Sequence, residues 1–294
     1  DHRDLHSFPT RRSSDLGRLM GKIISFANQK GGVGKTTTCI NLAAYVAAMG
    51  KKVLVLDLDP QGNATSGLGI DKDKEMKTIY DLISNDANIR EVIKPTIIEG
   101  LDVIPSTVDL AGAELEMVQM PQREKIVKGI LDQVKDEYDF IMIDCPPSLG
   151  LITVNALTAS NSVIIPMQCE YYPLMGITQL MNTIRLIKFH LNPGIDVEGV
   201  VMTMKDKRSN LTTQVSDEIL KFFGKKVFFT YIPRNIRLAE APSHGEPILI
   251  YEPSSKGAEA YMSLAEEFLD RNKVKYNPIT KETKIKIREV KDNG

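Results

Sequence analysis

The chain has 294 residues, of which 42% are hydrophobic and 26% charged, and its formal net charge is -1. Such values are ordinary for a globular protein, and the length suits one large α/β domain or two small ones. A chain with so little net charge has no general attraction for nucleic acid, so nucleic-acid binding would need a local basic patch.

The three cysteines, Cys39, Cys145 and Cys169, form no CxxC pair. Their spacing argues against a zinc or iron–sulfur framework within one chain and fits a reducing cytoplasm. No apolar run approaches the roughly 20 residues of a transmembrane helix, and no secretory signal is recognisable. We therefore expect a cytoplasmic protein.

Residues 1–19 are expected to lie outside the folded domain. The stretch DHRDLHSFPTRRSSDL at 1–16 has no apolar periodicity, and its run FPTRRSSDL resembles a translated sequencing adapter. A disordered leader is one alternative to such an artefact. An Arg- and Ser-rich transit peptide is another, but Asp1, Asp4 and Asp15 argue against it.

Seven apolar, β-branched runs are predicted to be buried strands. They are IISFA at 23–27, VLVLD at 53–57, LDVIP at 101–105, FIMID at 140–144, SVIIP at 162–166, VEGVVMTM at 197–204 and VFFTYIP at 227–233. The runs are almost continuously apolar instead of alternating, which is typical of parallel strands with both faces covered.

Helical patterns lie between and after these runs. They cover Thr36 to Met49, Gln122 to Glu137, Leu174 to His190, Leu211 to Phe223, and a last helix to about Asp270 that is capped by Ser254 or Ser255. Gly50 suits the end of the first helix. The alternation predicts an α/β fold with a doubly wound, mostly parallel sheet, flanked by helices on both faces, in one domain over 20–272.

The C-terminal segment 273–294 is basic and alternates lysine with isoleucine and threonine in TKETKIKIREVKD. A solvated edge strand and a loose tail both fit this pattern. A DNA-contacting tail is a further alternative, although a run of charge is usually a solvated face. The segment lacks the bulky apolar face of a membrane-anchoring helix.

The strongest motif is KGGVGKTT, which follows the first predicted strand and opens an Ala-rich helix. This is the setting of a phosphate-binding P-loop, and it argues against a glycine-rich turn that binds nothing. Lys35 would reach the outer phosphates, the Thr36 hydroxyl would bind Mg²⁺, and Thr37 would hold the inner phosphate. The predicted phosphate-binding residues are Lys30, Gly31, Gly32, Val33, Gly34, Lys35, Thr36 and Thr37.

Three aspartates end two of the predicted strands. Asp57 and Asp59 close VLVLDLD, and Asp144 closes FIMID. In a doubly wound sheet, ligands bind at the carboxyl ends of the strands. Asp144 fits the Walker B pattern, in which the carboxylate holds Mg²⁺ directly or through water, and we expect Asp57 to support the same ion. Asp59 is placed to orient a water, and a plain turn in DPQGN is the alternative.

The motif NQKGGVGKTTTCINLAAYVA resembles the deviant Walker A sequence of the ParA/MinD superfamily. In that superfamily the early lysine crosses into the partner subunit's nucleotide site, so the resemblance implies that Lys30 makes ATP binding and dimerisation one event. It also assigns the water-orienting role to Asp59. The catalytic residues expected on this basis are Lys30, Lys35 and Asp59, with ATP and Mg²⁺ as cofactors.

The likeness to the ParA/Soj branch extends from about Met20 to Asp270, through DLDPQGNATSGLG, IDCPPSLGLITVNALTAS, QCEYYPLMGITQLMNTI and IPRNIRLAEAPSHGEPI. It implies an ATP-dependent homodimer that binds double-stranded DNA without sequence preference. It also implies a ParB-type centromere-binding partner that stimulates hydrolysis, a location on the nucleoid, and no membrane. The cargo would be a chromosome or a plasmid.

The same resemblance points to residues outside the P-loop. Arg208 and Arg237 align with the arginines that carry DNA binding, and Lys205 and Lys207 are neighbouring candidates, although exposed loop cations are common. Pro233 and Arg234 resemble the segment that flanks the adenine, and a plain turn is the alternative.

Two other functions remain open from sequence. A membrane-surface positioning ATPase of the MinD type would need an amphipathic C-terminal helix, which KETKIKIREVK does not provide at helical spacing. A metal-cluster carrier or an ATP-dependent biosynthetic enzyme on the same fold is the other, since a dimer could share Cys145 between subunits.

Overall fold

The computed structural model describes residues 21–73, 75–169, 173–205 and 210–288. The expected leader lies outside these ranges. So do two of the predicted DNA-contact residues, Lys207 and Arg208.

A seven-stranded sheet forms the centre of the described chain. Its strands are β1 (Lys22–Phe26), β2 (Val53–Asp57), β3 (Lys94–Pro95), β4 (Leu101–Ile104), β5 (Phe140–Asp144), β6 (Ser162–Gln168) and β7 (Asp196–Thr203). They lie in the order β3-β4-β2-β5-β1-β6-β7, and all neighbours are parallel except β3 with β4. This confirms the predicted doubly wound, mostly parallel α/β fold.

Helices cover both faces of the sheet. They are α1 (Lys35–Ala48), α2 (Asn63–Gly67), α3 (Ile79–Ile83), α4 (Ile89–Val92), α5 (Leu110–Met117), α6 (Ile126–Asp132), α7 (Leu151–Ala159), α8 (Pro173–His190), α9 (Asn210–Phe223), α10 (Ile236–Glu240), α11 (Ile248–Tyr251) and α12 (Lys256–Arg271). The Ser255 hydroxyl caps α12 by accepting a hydrogen bond from the Ala258 N–H at 3.1 Å. No described helix is both long and apolar enough to cross a membrane.

The almost continuous apolar runs are explained by two hydrophobic clusters, one on each face of the sheet. Along β2, Val53 and Val55 belong to the cluster beneath α1 and α12, whereas Leu54 and Leu56 belong to the cluster beneath α5 to α8. Because successive side chains of a strand face opposite ways, both sets must be apolar when both faces are covered.

The prediction of one continuous helix over 122–137 is wrong. Two short 3-10 turns, Arg123–Lys125 and Lys135–Glu137, flank α6. The Asn155 amide of α7 donates to the Arg123 carbonyl at 2.7 Å and accepts from the Val127 N–H at 3.1 Å. These two backbone groups would bond each other in an uninterrupted α-helix, so the inserted amide breaks it.

The predicted strand at 227–233 is also wrong, since only isolated bridges join this segment to β7 and to Lys205. The Phe228 and Ile232 N–H groups donate to carbonyls of β7. The Thr230 N–H lies between them and donates to the Glu267 carboxylate of α12 at 2.8 Å. A side chain therefore takes the hydrogen bond that a regular parallel strand would give to its neighbour.

The described part of the C-terminal segment, 273–288, runs back across the domain. The Asn277 N–H donates to the Met49 carbonyl at the end of α1, and the Glu99 N–H donates to the Lys286 carbonyl. Ile287 forms an antiparallel bridge with Ile98. Arg288 donates to the carbonyls of Thr96 and Leu101 and to the Asp102 carboxylate. Residues 273–288 thus pack against the domain beside β3 and β4, and we call them the edge segment.

We expect Arg288→Ala to lower the free energy of unfolding by about 1–2 kcal/mol, because it removes the guanidinium donor from the Thr96 carbonyl and from Asp102 Oδ1. The Leu101 carbonyl keeps its hydrogen bonds from Thr96. Urea denaturation would measure the change. Lys284→Ala is the matched control, because Lys284 is an exposed residue of the same segment with no described ion-pair partner. Equal stability of the two variants would contradict this account of the edge segment.

Candidate functional site

The P-loop connects β1 to α1 at the carboxyl edge of the sheet. Gly32 and Gly34 have φ values of 73° and 82°, a left-handed conformation that glycine adopts without strain. The Thr203 hydroxyl at the end of β7 donates to the Val33 carbonyl at 2.7 Å. The P-loop is therefore held in place by β7, which lies two positions from β1 in the sheet.

The two lysines of the loop have different surroundings. Lys35 is 7% exposed, and its ammonium group partly opposes the rise that burial causes in the pKa of Asp144. Lys30 is exposed, and its N–H donates to the Asn28 side-chain oxygen at 3.0 Å. The loop thus directs one ammonium group inward and presents the other on the surface of this chain.

Asp57 and Asp144 lie side by side, because β2 and β5 pair with these residues opposite each other. Both side chains are fully buried, and Asp59 is 8% exposed. Burial raises the pKa of Asp57 and of Asp144, and the charge of Asp57 raises that of Asp144 further. The Thr36 hydroxyl, which donates to Asp144 Oδ2 at 2.7 Å, and the Lys35 ammonium oppose this shift.

These residues fit a magnesium ion that is shared with phosphate oxygens. Asp144 Oδ1 is buried and has no hydrogen-bond partner among the described residues, so one carboxylate oxygen remains for a cation or its water. No described group of three or more His, Cys, Asp or Glu side chains is arranged to hold a metal alone. Mg²⁺ commonly binds one or two protein groups and completes its shell with water and phosphate.

The loop after β2 is organised by Thr65 and Ser106, neither of which the sequence singled out. Asp57 Oδ2 accepts from both the N–H and the hydroxyl of Thr65, at 2.8 and 2.7 Å. The Ser106 N–H donates to the Thr65 hydroxyl oxygen, and the Ser106 hydroxyl donates to the Asp59 carbonyl at 2.9 Å. Asp59 keeps one carboxylate contact within its own turn, from the Gln61 N–H.

Pro233 and Arg234 lie beside Lys205, one of the DNA-contact candidates. Pro233 bridges to Lys205, and Lys205 Nζ stands 4.8 Å from the centre of the Tyr231 ring. An open cleft of about 880 Å³ is lined by these residues, by Arg234 and by Lys256 at the start of α12. The expected adenine segment and one expected DNA contact therefore face a common cleft.

Arg237 lies exposed on α10 and is paired with a carboxylate. Its Nη1 donates to Glu240 Oε2 at 2.9 Å, and this hydrogen bond raises the pKa of the guanidinium. Exposed pairs of this kind contribute little free energy. Arg237 can therefore exchange Glu240 for another anion at small cost.

We expect Thr65→Val to lower the free energy of unfolding by about 1–3 kcal/mol, because the buried Asp57 carboxylate loses a donor and the Ser106 N–H loses its acceptor. Thr65→Ser, which keeps the hydroxyl, should retain most of the stability. Urea denaturation of both variants measures the effect. A valine variant as stable as the serine variant would contradict this role for the hydroxyl.

A family model described as "AAA domain" matches residues 21–197. The chain is 58% identical over 248 residues to "Sporulation initiation inhibitor protein Soj" of Bacillus subtilis, covering 84% of this chain and 98% of that protein. It is 49% identical over 253 residues to "Chromosome-partitioning ATPase Soj" of Treponema pallidum, covering 86% and 99%.

Among solved structures, cobyrinic acid a,c-diamide synthase from Mycobacterium smegmatis with bound ADP and magnesium is similar, with a TM-score of 0.76 and 34% identity. The match covers 89% of this chain and all of that one. Identity to the partitioning proteins is higher than to this biosynthetic enzyme, and the fold shared with it carries an ADP- and magnesium-binding site. The chain therefore belongs to the Soj/ParA family of chromosome-partitioning ATPases, and its cofactors are ATP and Mg²⁺.

Proposed function

We propose that the chain is a switch that dimerises on binding ATP, binds double-stranded DNA without sequence preference and so moves chromosomes or plasmids. The contrast between the buried Lys35 and the exposed Lys30 within one loop is the observation that carries the proposal. Lys30 is exposed beside the phosphate loop, where a second subunit can contact it.

Within one subunit, the backbone N–H groups of residues 31–37 and the Lys35 ammonium bind the phosphates. Thr36 and Asp144 would bind Mg²⁺, and the neighbouring Asp57 would support the same ion. The metal, when bound, neutralises charge on the outer phosphates. Asp59 orients the attacking water, and its loop is fixed by Ser106 and Thr65. Pro233 and Arg234 contact the adenine.

Between subunits, Lys30 reaches the phosphates bound by the partner. There it neutralises charge that develops on the transferring phosphoryl group. Because the partner's nucleotide is what Lys30 binds, dimerisation requires ATP. DNA binding follows from dimerisation, since each subunit then contributes its own copy of Lys205, Lys207, Arg208 and Arg237, and phosphate contacts multiply.

Release from DNA follows hydrolysis. A ParB-type centromere-binding partner stimulates this step, so that the switch leaves DNA where its cargo is and rebinds elsewhere on the nucleoid. A slow basal rate suits such a cycle, because the ATP dimer must outlast its encounter with DNA.

The dimerisation step is tested in an Asp59→Ala background, in which we expect hydrolysis to fall about a hundredfold because the water loses its orienting group. Light scattering should then show a dimer with ATP and a monomer with ADP. Adding Lys30→Ala should abolish the dimer while ATP binding persists. Lys94→Ala, at the far edge of the sheet, is the control. A stable ATP dimer of the Lys30 variant would contradict the proposal.

DNA binding is tested by co-sedimentation with ATP, with ADP and without nucleotide, at two salt concentrations. We expect binding only with ATP, falling steeply with salt because phosphate contacts release counterions. Arg208→Glu and Arg237→Glu should each weaken it by roughly tenfold or more, since each replaces a phosphate contact with repulsion. Lys94→Glu is the charge-matched control.

Binding that is independent of nucleotide, or lost equally in the control, would refute the DNA-binding step. Binding to liposomes in place of DNA would favour a membrane-surface positioning ATPase instead.

A further inference from the structure

Helix α7 begins at Leu151, directly after the segment 145–150 that follows Asp144. Its N-cap residue is Gly150, which has no side chain to accept a hydrogen bond, and its first turn contains no acidic residue. A helix N-terminus leaves N–H groups unsatisfied and carries partial positive charge. The sequence around α7 therefore supplies no group of its own to stabilise this end.

The missing acceptor comes from another helix. Glu114 of α5 places its Oε1 3.3 Å from the Ile152 N–H, where it accepts a hydrogen bond. The same oxygen would lie only 2.3 Å from a Cβ built on Gly150. A side chain at position 150 would therefore displace the Glu114 carboxylate that caps α7.

The segment leading into α5 is fixed to the loop that carries Asp59. Ser106 donates two hydrogen bonds there, from its N–H to the Thr65 hydroxyl oxygen and from its hydroxyl to the Asp59 carbonyl. Glu116, two residues after Glu114 on α5, accepts a hydrogen bond from the Tyr80 hydroxyl at 2.8 Å. The stretch from Ser106 to Glu116 thus joins the loop after β2 to the segment after β5.

We propose that Glu114 is a positioning residue for ATP hydrolysis. By capping α7, Glu114 fixes the position of the segment 145–150 beside Asp144. Because Glu114 belongs to α5, it also fixes the position of that segment relative to the loop that carries Asp59. The inference rests on the roles proposed above for Asp59 and Asp144. Glu114 lies against the helix terminus, and no described hydrogen bond or ion pair joins it to the P-loop, so its loss should spare nucleotide affinity.

The test is the steady-state and single-turnover ATPase of Glu114→Ala and Glu114→Gln. We expect kcat of the alanine variant to fall about tenfold, which corresponds to losing the free energy of one helix cap in the transition state. The KM for ATP and the affinity for ADP should change less than twofold. The isosteric glutamine keeps an acceptor oxygen and should lose less than threefold. Hydrogen exchange at the amides of 151–154 should quicken in the alanine variant alone.

Glu116→Gln is the matched control on the same helix, because it keeps an acceptor for Tyr80 and does not contact α7; its kcat should stay at the wild-type value. Gly150→Ala should slow hydrolysis as Glu114→Ala does, and the double variant should be no slower than the slower single one, because the two changes remove one contact.

An unchanged kcat in Glu114→Ala, a matching loss in Glu116→Gln, or additive losses in the double variant would each overturn the inference. A fall in kcat accompanied by a similar fall in nucleotide affinity would overturn it too. These outcomes are separate from the Asp59→Ala result: if Asp59→Ala hydrolyses ATP normally, the proposed role of Asp59 fails whatever the Glu114 variants do.

Discussion

The pairing of β2 with β5 puts the Asp57 and Asp144 carboxylates next to each other in the interior. Two buried like charges are unfavourable unless donors and cations surround them. The Lys35 ammonium, the Thr36 hydroxyl and the Thr65 N–H and hydroxyl are those groups. The P-loop and the loop after β2 are therefore held to the same pair of carboxylates, and the shape of the nucleotide site follows from that constraint.

The hydrogen bond between Thr36 and Asp144 is compatible with metal binding. A hydroxyl oxygen can ligate a cation through a lone pair while its own O–H continues to donate a hydrogen bond to a carboxylate. Asp144 Oδ1, buried without a described partner, is the oxygen left over for the ion or its water. The arrangement is thus organised before the metal arrives, so binding needs little rearrangement of the protein.

Sequence predicted well what local pattern determines. The apolar runs of β1, β2, β4, β5, β6 and β7 were located, and the structure places the predicted P-loop and the strand-end aspartates at one edge of the sheet. The predictions failed where a distant side chain replaces a backbone hydrogen bond. Asn155 interrupts the helix around α6, and Glu267 takes the Thr230 N–H that a regular strand would have used.

Contacts between residues far apart in the chain also explain why the sequence did not reveal some residues of the site. Thr203 is 170 residues from the carbonyl that it binds in the P-loop, and Ser106 is 47 residues from the Asp59 carbonyl. Serine, threonine and glutamate are common on any surface, so nothing in their local sequence marks these positions. Only the packing of α5 and β7 brings them to the loops, and that packing is a property of the whole domain.

The P-loop helix also depends on residues that are synthesised late. Its face toward the protein interior packs against α12, and its Thr38 hydroxyl shares a hydrogen bond with Tyr261, 223 residues further along the chain. The end of α1 then receives the Asn277 N–H. A nascent chain that has completed the phosphate-binding motif therefore still exposes the apolar face of α1. The nucleotide site should therefore finish folding only after the last helix has left the ribosome. A chain that is terminated before α12 should fail to bind ATP, because α1 lacks the helix against which it packs.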